Sequence, residues 1–110
     1  MIRLDLKRAP YWLDVADGLR LQVRPATSAL IMGARVAALK EDGVERGTAL
    51  LRQLALLAIL DWEGVGDEDG NKAEVNPDTI LALMDLWPVA EAFERLYLLP
   101  ALVLDQEKNG

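Results

Sequence analysis

The sequence predicts an α+β fold that is mostly helical, with a small antiparallel sheet at the N-terminus and about four helices after it. Three observations support this prediction. Three runs within residues 2–24 alternate apolar and polar side chains, as half-buried strands do. Leucine and alanine, which favour helices, dominate the rest of the chain. With 110 residues, 52% of them hydrophobic, the chain suits a single domain, spanning 1–110, with its own core.

The N-terminal segment is predicted to form the sheet. Residues 2–7 alternate apolar with charged side chains, the period of a half-buried strand. Two further alternating runs, at 13–15 and 19–23, flank Asp17-Gly18, a strong signal for a tight hairpin turn. We therefore expect two or three antiparallel strands within 2–24. They should pack against a helix, because so small a sheet is unstable by itself.

Two helices are predicted to follow the sheet. Thr27 or Ser28 can cap the first by accepting a backbone N–H bond, and this helix should cover 28–41 before Asp42-Gly43 ends it. The second should cover 44–61. Its leucines surround most of its circumference, so we expect a central helix that is buried on all sides. The alternative is that one of its sides faces a partner protein.

A third helix is predicted to begin at Asn76-Pro77-Asp78 and to run to about residue 86. Asparagine is a good N-cap, proline suits the first helical turn, and an aspartate there complements the helix dipole. A fourth helix should begin at Pro88. The helical region is thus expected over 28–105, followed by a frayed polar tail at 106–110.

Proline interrupts the fourth predicted helix. Pro100 lacks a backbone N–H and its ring collides with the preceding turn, so it should kink this helix or divide it into two. Among the aromatic residues nearby, Phe93 is expected in the core, as is Trp62, with its indole N–H bonded to a polar partner. The burial of Tyr97 and of Trp12 is left open by the pattern.

Composition narrows the chemistry that the chain can perform. There is no cysteine and no histidine, so disulfides and zinc–thiolate sites are excluded, and the commonest general base is missing. We expect no enzymatic activity, catalytic residue, metal or cofactor. The formal net charge of −6 argues against a nucleic-acid partner, and the apolar runs are too short to span a bilayer. No signal peptide begins the chain, which indicates a cytoplasmic protein.

An acidic loop between the second and third helices suggests a calcium site at first sight. Asp67, Asp69 and Asn71 alternate as the first three ligands of an EF-hand do. The pattern then fails, because Lys72 stands where glycine is needed and Asp78 stands where a bidentate glutamate is needed. We interpret the loop as a tight turn between two short flanking strands. A cation-binding regulatory module remains as an alternative function.

A set of residues in and around the same loop carries a resemblance to known proteins: Trp62, Gly64, Asp67, Asp69, Gly70, Asn71 and Pro77. With these residues the chain is similar, over 11–110 and above all over 59–80, to small proteins encoded in the tail-gene regions of siphophage-like prophages and gene transfer agents, of the tail assembly chaperone type. It departs from their pattern at Lys72-Ala73-Glu74, where more apolar or proline-rich residues are expected.

The resemblance implies a function in a bacterial host. Such a chaperone binds a tape-measure-like tail protein and keeps its apolar helical segments soluble until the tail tube replaces it. We expect contacts through exposed apolar residues of the second and fourth helices and through aromatic residues. The alternative is a structural tail or head–tail connector component that is retained in the particle. The candidate contact residues are Leu56, Leu98, Leu102, Tyr97 and Trp12.

Overall fold

The computed structural model describes residues 1, 3–4 and 8–102. Within them the chain forms a three-stranded antiparallel sheet and four helices, and the predicted class, α+β and mostly helical, is confirmed. The elements are β1 (Tyr11–Ala16), β2 (Leu19–Val23), α1 (Ser28–Ala38), α2 (Arg46–Ala58), β3 (Ile59–Glu63), α3 (Pro77–Met84) and α4 (Trp87–Phe93), which continues into a π-helical turn (Glu94–Leu98).

The predicted hairpin is present, and its two strands lie at one side of the sheet. β1 and β2 are joined at Asp17-Gly18, where the glycine has a φ of +75° that a tight turn requires. The strand predicted over 2–7 falls largely outside the described residues. Of its members that are described, Arg3 and Leu4 belong to no strand.

The third strand corrects the prediction for the second helix. That helix was expected to run to residue 61, but α2 ends at Ala58, and Ile59–Glu63 pair with β2 instead. The pairing sets Ile59 opposite Val23 and Trp62 opposite Leu21, and all four side chains are buried. Because β-branched and aromatic residues pack well on a sheet, this pairing outweighs the helical preference of the leucine-rich segment before it.

Side-chain caps hold the ends of α1 and α2. Thr27 Oγ1 accepts the N–H of Leu30 at 3.2 Å, as the sequence indicated. α1 ends at Ala38 instead of residue 41, because the N–H groups of Lys40 and Glu41 bond to the carbonyls three residues earlier and tighten the chain. The Arg46 guanidinium donates to the carbonyl oxygens of Ala38 (3.1 Å) and Glu41 (2.8 Å) at this end. These bonds satisfy carbonyls that a helix end leaves without partners.

α2 packs along α1 but is not buried on all sides, so that expectation is wrong. Its buried side faces α1 and α3, whereas Leu57 is 42% exposed. The reason is that a three-stranded sheet and three other helices are too few to surround a helix completely. The residues of α2 that are buried are Ala49, Leu54, Ala55 and Ala58.

α3 begins as predicted. The Asn76 side chain accepts the N–H of Thr79 at 3.0 Å, and the Thr79 hydroxyl accepts the N–H of Asn76 at 3.0 Å. Pro77 occupies the first turn, where its missing N–H costs nothing. α3 then ends at Met84, two residues before the predicted position.

The segment around Pro100 is one helical segment, not two. Helical structure runs from Trp87 to Leu102, and a π-helical turn over Glu94–Leu98 precedes the proline. Within it the Leu99 N–H reaches back to the carbonyl of Glu94, five residues earlier. A wider turn adds a residue at the place where the proline removes a donor. The tail predicted at 106–110 lies outside the described residues.

Candidate functional site

The segment that carries the resemblance is built around a close contact with the hairpin. Gly64 has a φ of +89°, and a Cβ on this residue would overlap the carbonyl oxygen of Gly18 in the β1–β2 turn. Only glycine fits both constraints. Gly64 therefore allows the end of β3 to pack directly against the hairpin turn.

The acidic loop is a tight turn, as the sequence indicated. One carboxylate oxygen of Asp67 accepts the N–H groups of Asp69 (2.9 Å) and Asn71 (3.0 Å), and the Asp67 N–H donates to the Asn71 carbonyl at 2.7 Å. A single antiparallel bridge between Gly66 and Lys72 closes the ribbon. The part of the chain that the structure describes contains no group of three or more potential ligand side chains placed to hold a metal ion.

Residues on either side of the acidic turn also have structural contacts. Trp62 is fully buried, as expected, and its indole N–H donates to the carbonyl of Ala73 at 2.9 Å. Asp61 accepts the N–H of Trp62 at 2.8 Å and the Lys72 ammonium at 3.1 Å. These two hydrogen bonds, the backbone one first, lower the pKa of the Asp61 carboxyl. The whole segment thus joins β3 to α3 and belongs to the scaffold.

Two of the five candidate contact residues are core residues, and the expectation that they face a partner is wrong. Tyr97 is 1% exposed and Leu98 is 8% exposed. Both lie in the π-helical turn, whose extra residue rotates the following side chains relative to an ordinary helix. Tyr97 stacks on Phe93, which is buried as predicted, with ring centroids 5.0 Å apart.

The Tyr97 hydroxyl has a structural contact as well. It donates to the carbonyl of Arg24 at 2.6 Å, which ties α4 to the segment between β2 and α1. Burial raises the pKa of this phenol. The hydroxyl is therefore a protonated donor at neutral pH, and Tyr97 orients α4.

The other three candidates lie in different places. Leu56 is half-buried, and Leu102 is 44% exposed beside α1. Trp12 lies on the outer face of the sheet, where the Arg20 guanidinium carbon is 4.7 Å from its ring centroid. Arg20 also pairs with Asp14 at 3.2 Å and with Glu63 at 3.3 Å. Trp12 therefore belongs to a polar network, and of the five only Leu102 lines one of the two depressions described below.

An exposed apolar surface on α1 was missed by the sequence reasoning. Met32, Val36 and Leu39 of α1 and its C-cap are 54%, 53% and 71% exposed. With Leu50 of α2 they border a depression of about 420 Å³. The spacing 32, 36, 39 is that of one helix face, a signal that was available in the sequence.

A second depression, of about 330 Å³, continues along the same side of α1. It lies between Ser28, Ile31 and the C-terminal end of the fourth helical segment at Leu102, and it shares Met32 and Arg35 with the first depression. We call the two together the α1 groove. It is lined by Ala26, Ser28, Ile31, Met32, Arg35, Val36, Ala38, Leu39, Arg46, Leu50, Ala101 and Leu102.

The ionisable groups of the α1 groove are both arginines. Arg46 is held in place by its bonds to the end of α1, and Arg35 forms no ion pair with any described residue. Residues 18–40 contain no aspartate or glutamate, although the chain carries a net charge of −6. An apolar floor flanked by cations suits the binding of an apolar, anionic ligand.

Two further findings concern membrane-spanning helices and related proteins. Among the described helices, none has the length and apolar character needed to cross a membrane. No protein-family model matches this chain, no curated protein matches it, and no solved structure matches it.

Proposed function

We propose that this protein is a non-enzymatic assembly factor of the phage-tail type, acting in the cytoplasm of a bacterial host. It binds apolar helical segments of a tape-measure-like client during tail assembly. The observation that carries this proposal is the α1 groove, where three large apolar side chains more than half exposed lie on one face of a helix. Contiguous exposed apolar surface of this kind is typical of interaction sites.

The proposed mechanism involves only non-covalent binding. An amphipathic client helix lays its apolar face into the groove, which removes apolar surface of both proteins from water. The net charge of −6 keeps the complex soluble while the client is held. Release follows when tube subunits bury the same client surface.

The scaffold around the groove supports this function. α1 packs on α2 through small residues. Ala34 is fully buried, and Gly33 faces the Leu57 side chain of α2. Arg46 fixes the end of α1 relative to α2. A groove held by these contacts keeps its shape before the client arrives, which reduces the entropic cost of binding.

The test is co-expression with the tape-measure protein encoded in the same gene cluster, followed by co-purification. We expect a complex with the wild type and loss of the complex with Met32→Ser/Leu39→Ser. Trp87→Ser is the matched control, because Trp87 is 74% exposed but does not line the groove.

Mass spectrometry of purified tail particles separates this function from the structural alternative. A chaperone leaves the particle, so it should be absent from mature tails. Failure to form any complex, together with stoichiometric presence in particles, would reverse the proposal in favour of a tail or connector component.

A further inference from the structure

We infer that the α1 groove binds an amphipathic helix about three turns long whose apolar stripe is flanked by carboxylates. This inference rests on the proposed function and specifies its client. It names the binding surface, the conformation of the bound segment and the sign of its charge.

The length follows from the groove. Ser28, Met32, Arg35 and Leu39 succeed one another at i, i+4, i+7 and i+11 along one side of α1 and its C-cap. At 1.5 Å per residue they extend over roughly 16 Å. A helix of about 11 residues spans the same distance, and such a helix presents three or four apolar residues on one face.

The charge follows from the groove's edge. The Arg35 guanidinium lies between the two depressions and has no carboxylate partner among the described residues. The Arg46 guanidinium borders the Leu39 end, where two carbonyl oxygens fix it and the Glu41 and Glu45 carboxylates lie near it, so Arg35 carries most of the unbalanced charge. Carboxylates beside the client's apolar stripe would form charge-assisted bonds with these groups.

The net charge of the whole chain favours a cationic peptide, whereas the arginines of the groove favour an acidic one, and this difference can be tested. A net charge of −6 attracts a cationic peptide at long range. At physiological ionic strength the Debye length is about 8 Å, so the charges at the groove decide the affinity of a bound helix. A preference for an acidic peptide would therefore report the groove and not the overall field.

The probe is a designed helical peptide of about 14 residues. Leucines follow the i, i+3, i+7, i+10 pattern, glutamates flank this stripe, and alanine and glutamine fill the rest. A second peptide has lysine at each glutamate position. Fluorescence anisotropy of the labelled peptides against the full chain should show the glutamate peptide binding about tenfold tighter than the lysine peptide.

Variants locate the binding. Arg35→Glu should invert the preference between the two peptides, and Val36→Glu should abolish binding of the glutamate peptide. Arg95→Glu is the matched charge control, because Arg95 lies on the π-helical turn and does not line the groove. Circular dichroism checks that each variant retains its helical content.

Three results would overturn the inference. These are equal affinity for the two peptides, tighter binding of the lysine peptide, or an unchanged preference in Arg35→Glu. A dimer in light scattering that Val36→Glu dissociates would instead assign the groove to a second copy of the chain. If co-purification with the tape-measure protein survives while the peptides fail, the proposed function stands and only this account of the client falls.

Discussion

The segment from Trp62 to Pro77 is distinctive in sequence but makes internal contacts, whereas the α1 groove is ordinary in sequence but exposed. The first has the most distinctive residues in the chain, and the structure uses them for internal contacts: a buried indole, a glycine against the hairpin turn, and a carboxylate that closes a loop. The second has ordinary helical residues, and it leaves Met32, Val36 and Leu39 more than half exposed.

The difference shows that a distinctive motif need not be a binding site. Turns with positive φ and close backbone contacts accept few residue types, so they stand out in a sequence. An apolar binding groove accepts any large aliphatic residue, so its sequence is bland. Substitutions in the first region should therefore lower the folding stability, and those in the second should weaken partner binding.

The largest effect is expected at Gly64. Gly64→Ala should lower the free energy of unfolding by about 3 kcal/mol or more, because the new Cβ overlaps the Gly18 carbonyl and the φ is positive. Gly70→Ala is the matched control, with a φ of +81° but open space around it, and should cost about 1 kcal/mol. Urea denaturation measures both, and equal shifts would contradict the close contact.

A smaller effect is expected at the acidic turn. Asp67→Ala removes the acceptor for two backbone N–H groups and should cost about 1 kcal/mol in urea denaturation. Asp69→Ala, whose side chain accepts no hydrogen bond from the described residues, should change the stability by less than about 0.5 kcal/mol.

The same turn allows a test of the cation-binding alternative. Because the Asp67 oxygen is occupied by backbone donors, millimolar calcium should leave the tryptophan fluorescence and the urea midpoint of the wild type unchanged. A calcium-dependent rise in the midpoint that Asp67→Ala removes would restore the cation-binding module as a function.

A pH-dependent effect is expected where α1 joins α2. The Glu41 carboxylate accepts hydrogen bonds from Gln53 (3.0 Å) and Arg52 (3.2 Å). The Gln53 bond, and to a lesser extent the Arg52 bond, lowers the pKa of this carboxyl below its ordinary value of 4.5. A lowered folded-state pKa contributes stability at neutral pH, and this contribution is lost as the pH falls below 4.5 through the lowered pKa.

Gln53→Ala isolates this contribution. Carbon-13 NMR titration should show the Glu41 pKa moving back toward 4.5 in the variant, and the acid-side loss of stability should become shallower. An identical titration curve in the variant and the wild type would show that the Gln53 bond is not formed in solution.

The smallest effect on stability is expected in the groove. Leu39→Ser should change the free energy of unfolding by less than about 0.5 kcal/mol, because the side chain is 71% exposed. A loss above 1 kcal/mol in urea denaturation would show that Leu39 packs in the core, and the contrast between the two regions would weaken.

Local signals predicted most of the fold. The hairpin at Asp17-Gly18, the Thr27 cap and the Asn76 cap depend on a few neighbouring residues, and all three are present. β3 was missed because its strand character arises from pairing with β2, whose partner residues are about 40 positions earlier in the chain. Tyr97 and Leu98 were wrongly expected to face a partner, because the π-helical turn changes which side chains face inward.

The sequence by itself determined the class of the fold, the hairpin, the helix starts and the acidic charge, because each depends on local conformation or on composition. The tertiary structure decided that Tyr97 and Leu98 are buried and that Met32, Val36 and Leu39 are exposed. Exposure depends on which elements pack against a helix face, and that is a property of distant residues brought together. The acidic turn at Asp67 thus follows from its own residues, whereas the exposure of the α1 groove follows from which elements pack against α1.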